Sequence, residues 1–124
     1  MNVSSAFLKI AALYLLVGMM LGIYMGGSGD HSLVSVHAHI NLLGFTLMVV
    51  FGLLYRFIPG LAEGWMGKTH FWLHQLGALV LLIALYLMMS GRLPASTVGP
   101  VLPLAEGALI IGTAIFAVNL WRRV

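Results

Sequence analysis

Four long apolar runs divide the chain, at roughly residues 5–25, 32–57, 69–90 and 98–121. Each is close to the ~20 residues that a helix needs to cross a ~30 Å hydrocarbon core. Turn chemistry separates them: GGSGD at 26–30, PGLAEGWMGK at 59–68 and SGRLPAST at 90–97. Backbone amides in lipid must pair within their own segment, so all four runs are predicted as helices. The expected fold class is therefore all-α, an integral membrane four-helix bundle forming one domain over residues 1–124. The first run has neither a strongly basic leader nor an Ala-x-Ala site before its glycines, and it is expected to be retained.

Composition supports this reading, with 61% hydrophobic and 7% charged residues and a mean hydropathy of +1.06. A soluble domain is excluded on those grounds. Six Lys/Arg against three acids, widely scattered, do not build a nucleic-acid surface. The basic residues set topology instead. Lys9, Arg56, Lys68, Arg122 and Arg123 fall on one side of the four-span arrangement and Arg92 on the other. The positive-inside bias then predicts both termini in the cytoplasm, in a bacterial-type inner (cytoplasmic) membrane. The absence of cysteine excludes disulfides, thiolate-ligated heme and a Cys-x-x-Cys-His attachment.

Histidines interrupt two of the apolar runs. His37 and His39 lie in VHAHINLLGF, near the outer start of the second predicted helix, roughly 7 to 11 Å below the surface at 1.5 Å per residue. His70 and His74 open the third helix, which runs the opposite way, about 13 Å deeper for a ~30 Å core. The two pairs therefore cannot share one upright porphyrin. His70 and His74 are spaced i, i+4 and could hold a metal on one face, but a packing or headgroup role is expected at the inner interface. Residues two apart on a helix diverge by about 200°, so His37 and His39 serve two different flanks. Asn41 shares the His37 face and is counted with the same binding site. A carboxyl at Glu106, ~12 Å below the outer surface if its helix starts near residue 98, is costly in lipid. It is predicted to face the protein interior, protonated or paired, where it would orient an imidazole. A helix starting only after Pro103 would instead leave it interfacial.

The segment VHAHINLLGFTLMVVFGLLYRFIPGLAEGWMGKTHFWLHQLG resembles the tenth and eleventh transmembrane helices of the heme-copper oxidase catalytic subunit. In that family a His-x-His opens one helix near the outer face, an aromatic-Pro turn ends it, and a Lys-x-His-Phe-Trp segment opens the next. Here the matching residues are His37 and His39, then Phe57, Ile58 and Pro59, then Lys68, His70, Phe71 and Trp72. The resemblance implies iron-binding roles for His37, on the side of the family's high-spin heme, and for His39, on the side of its low-spin heme. With no cysteine available, the expected cofactor is heme b. The family's catalytic subunit needs about twelve helices and copper-binding histidines with no counterpart here, so oxygen reduction is not expected of this chain.

The implied function is electron transfer, or redox or gas sensing, through a bis-histidine heme with an unidentified redox partner. The alternatives are a heme or metal carrier and a noncatalytic assembly partner of a terminal oxidase. Two imidazoles that diverge by about 200° cannot clamp one iron, so six-coordination needs a second copy. The oxidase subunit resembles three joined four-helix units, which implies a homotrimer in the lipid bilayer; a dimer is the alternative. Gly18, Gly22 and Gly26, at four-residue steps, are expected to permit close helix contact within or between chains.

Overall fold

The computed structural model describes residues 1–124 and is 81% helical, without strands. Its long helices are α1 (Val3–Ser28), α2 (Val34–Phe57), α3 (Gly64–Met89) and α5 (Val101–Trp121), each long and apolar enough to cross a membrane. A one-turn α4 (Ala95–Val98) lies in the last connection. The chain is thus a multi-pass membrane protein.

Helix ends follow local chemistry. The Asn2 side chain accepts from Ser5 N at 3.0 Å and caps α1. At its other end Gly29 adopts φ 71°, donating its N–H to Met25 O. Ile58, held extended before Pro59, stops α2. Helix α3 begins a turn earlier than its composition predicts, within the stretch read as a loop. Gly67 explains the difference: a Cβ there would lie 3.2 Å from Ala62 O and 3.4 Å from a Tyr55 ring carbon, so its bare backbone lets the first turn pack against the preceding connection.

The middle of α2, Ile40–Thr46, is π-helical, a feature that periodicity did not foretell. Its wider turns shift every later α2 side chain relative to an ideal α-helix. Leu43 within it presents a carbonyl to α3, where His74 Nε2–H donates to Leu43 O at 3.1 Å.

The four long helices form two closely packed pairs, α1 with α2 and α3 with α5, while α1 and α3 touch only sparsely. Glycine sets the first pairing. The Tyr14 ring of α1 fills the space that a Cβ on Gly44 of α2 would occupy, 2.5 Å from ring carbons, and Leu8 does the same over Gly52. The expected close contact at Gly18 and Gly22 is therefore made inside the chain, against α2, whereas Gly26 has no neighbour within 4 Å. Gly44→Ala is expected to cost about 1–3 kcal/mol of stability, because the Tyr14 ring root cannot swing aside as a flexible side-chain tip would. SDS titration followed by circular dichroism would measure it.

The pairs join through an aromatic centre of Phe7 from α1, Phe51 and Tyr55 from α2, Phe71 from α3 and Phe116 from α5. Polar side chains fasten the same end. Ser4 Oγ donates to Gly52 O and Asn119 Nδ2 to Leu61 O, both at 2.8 Å. Arg123 lies against Gly60, and Arg56 shares a surface pocket with Met1 and Asn2. Arg92 lines a pocket with Asp30 at the opposite end. Outward faces remain apolar: Ile23 is 74% exposed and Leu104 75%, as lipid-facing or subunit-facing positions require.

Candidate functional site

Each of the four membrane histidines has at least one ring nitrogen hydrogen-bonded within the chain, Nδ1 in His37, His39 and His70 and Nε2 in His74. On α2, His37 Nδ1–H donates to Gly18 O of α1 at 2.9 Å, and His39 Nδ1–H donates to Ser35 O, one turn earlier, at 2.7 Å. A carbonyl has no proton to give, so each Nδ1 carries the hydrogen and Nε2 is the nitrogen left over for another partner. Metal-bound imidazoles need this arrangement, with one nitrogen donating to a fixed acceptor and the other facing the metal.

The buried pair differs. His70 is fully buried and His74 nearly so. His74 spends its Nε2–H on Leu43 O. His70 Nδ1 lies 2.8 Å from Tyr55 Oη, while its Nε2 has no hydrogen-bond partner. The rings of Phe7, Phe51 and Phe116 surround it with centroids 5.3, 4.5 and 5.1 Å away. Aromatic faces accept N–H groups and offer no donor to a lone pair. We therefore assign Tyr55 O–H as donor to Nδ1 and place the His70 proton on Nε2. Neither His70 nitrogen then has a lone pair left for a metal. The headgroup role weighed for His70 and His74 is ruled out by this burial: both rings face the other helices, among Phe7 and Phe51, and belong to the core.

Asn41 meets His37 as the one-turn spacing predicted, its Nδ2–H donating to His37 Nε2 at 3.3 Å. Two glycines make the seat. A Cβ on Gly18 would collide with Asn41 Oδ1, and one on Gly22 would lie 3.0 Å from His37 Cε1. The glycine spacing, legible in the sequence only as helix-packing chemistry, also shapes the site. His39 faces no partner other than Ser35 O and is half-buried. Its ring and that of His37 do not converge on one point in the chain.

Glu106 corrects its expectation. Helix α5 starts at Val101, so the carboxyl does lie inside the helix, yet it is exposed. The reason is rotational: α5 packs inward through Ala105, Gly112, Phe116 and Asn119, and the residue after Ala105 turns about 100° outward. Glu106 thus orients no imidazole of its own chain.

An apolar groove of about 650 Å³ lies between α1 and α3, over Val36 and Ile40 of α2. No histidine lines it. With Nδ1–H donated to a carbonyl and the ring half-buried, His37 and His39 have the tautomer that metal ligation through Nε2 would require. No family model, curated protein or solved structure matches this chain.

Proposed function

We propose that the protein is a b-type heme protein of a bacterial-type cytoplasmic membrane, with both termini inside. Three copies close a ring in which His39 of one and His37 of the next hold each heme. The observation that carries this reading is the pair of Nδ1–H donations to main-chain carbonyls, which leaves Nε2 as the nitrogen each α2 imidazole would turn to an iron. Their divergent placement supports ligation across a subunit boundary, and a cyclic ring satisfies each heterologous interface. When bound, the heme supplies one-electron redox chemistry. The chain's own part is to hold ring orientation through Gly18 O and Ser35 O and to keep water from the inner flank with packed Val36 and Ile40. Such a ring resembles the heme-copper oxidase catalytic subunit in its helices and lacks its copper ligands, so electron transfer or sensing is the activity proposed. Oxidised and dithionite-reduced optical spectra of purified protein test it; a reversible low-spin b-type spectrum is expected, and heme-free protein from heme-replete cells would reject it.

One observation favours a second reading, transient heme carriage. Asn41 already donates to His37 Nε2, so an iron must displace that hydrogen bond, which weakens retention. Gly18→Ala separates the two. If retention depends chiefly on the His37 seat at Gly18 O, the added Cβ disturbs that seat and lowers heme affinity about 10- to 100-fold. If the amide chiefly competes with iron, affinity rises, and heme titration by difference absorbance reads the sign.

A further inference from the structure

At the end opposite the termini, a pocket of about 490 Å³ is lined by Tyr24, Asp30, Ser32, Ser90 and Arg92 together with Leu21, Leu33 and Tyr86. Leu21 and Tyr86 also line the apolar groove between α1 and α3, so the polar pocket opens directly onto it. Along α1 the groove runs from Leu21 to Ile10, roughly 16 Å at 1.5 Å per residue. That is the depth of one leaflet, about half of a ~30 Å core, and less than the full thickness a second copy's helix would need.

The two charges of the pocket mouth have other partners. Asp30 Oδ1 accepts from Ser32 N at 2.9 Å, while the Arg92 guanidinium stands 5.8 Å from the Tyr86 ring centroid. Hydrogen bonds from the Ser32 amide and side chain hold the Asp30 carboxyl below the usual carboxylate range, so it is ionised at neutral pH. A cation and an anion thus flank one opening above an apolar slot. A ligand matching this pattern carries separated opposite charges on a single hydrocarbon tail region.

We infer that this slot binds one zwitterionic phospholipid, a phosphatidylethanolamine, of the leaflet opposite the termini. Its phosphate meets Arg92, its ammonium meets Asp30, and an acyl chain lies between Val17 and Ile83 over Val36 and Ile40. The guanidinium suits phosphate oxygens through paired N–H donors, and the primary ammonium suits a carboxylate through a charge-assisted hydrogen bond. The lipid closes the gap where α1 and α3 fail to meet, joining the two helix pairs on that side. This assignment is independent of the heme proposal.

Native mass spectrometry of the full chain tests it, with dioleoyl phosphatidylethanolamine or dioleoyl phosphatidylglycerol added to the micelles. One phosphatidylethanolamine retained per chain is expected, in preference to the glycerol lipid. Arg92→Gln and Asp30→Asn should each lower its occupancy constant about tenfold, as loss of one charge-assisted bond implies. Asp30→Asn should leave phosphatidylglycerol binding unchanged. Val17→Trp, at a 52% exposed position, fills the groove with both charges intact and should also lower retention. All three positions are exposed, so circular dichroism should be unaltered. Equal retention of the two lipids, or an Asp30→Asn protein that keeps phosphatidylethanolamine at wild-type level, would overturn the assignment. So would a Val17→Trp protein with changed oligomer mass and unchanged lipid, which would give the groove to a second copy.

Discussion

His39→Ala protein is expected to purify folded and without heme, and His37→Ala protein likewise. Both side chains are half-buried, and His39 bonds only to a carbonyl of its own helix, so removing its ring leaves no unpaired group in the core. His37→Ala frees Gly18 O and the Asn41 amide, costing about 1–3 kcal/mol, which a bundle of this size should survive. Losing an axial ligand is a larger insult to the heme than the 10- to 100-fold affinity loss typical of an orienting partner. Mixing the two mutant chains supplies the stronger test. In a ring with shared sites, some boundaries of a mixed assembly pair an intact His39 with an intact His37, so part of the low-spin spectrum returns. Verified mixing without any return would reject ligation across the boundary, and full heme in both single mutants would reject these residues as ligands.

For the buried pair the large effect is on stability. His70→Ala removes a fully buried ring from between Phe7, Phe51 and Phe116 and takes the acceptor from Tyr55 O–H. Lipid is as apolar as the vacated core, so the cost comes from lost packing and the orphaned hydroxyl rather than from transfer out of water. Large-to-small core changes cost about 3–5 kcal/mol, and the unpaired hydroxyl adds about 1–3. His70→Phe refills the ring volume and should lose only the hydroxyl term. Unfolding in SDS, with heme per folded chain measured alongside, checks both parts. If His70→Ala loses heme while keeping wild-type stability, the tautomer and role assigned to His70 are wrong.

Hydropathy alone located the four spanning helices, because the cost of an unpaired amide in lipid leaves a 20-residue apolar run one conformation. The one-turn step from His37 to Asn41 was legible for a similar reason, since helical geometry carries i and i+4 to one face whatever the rest of the chain does. Three features were decided only by packing. The π-helical turn at Ile40–Thr46 leaves no hydropathy signature, because widening a turn changes which neighbour a residue meets and not how apolar it is. The direction of Glu106 depended on which stripe of an almost uniformly apolar α5 turned toward α3, and in such a helix small residues such as Ala105 and Gly112 choose the face by permitting close approach. The contrast between the two histidine pairs was likewise absent from the sequence. An imidazole's available nitrogen is set by the acceptor opposite its other one, and Gly18 O, Leu43 O and Tyr55 Oη reach those rings only once the helices have packed.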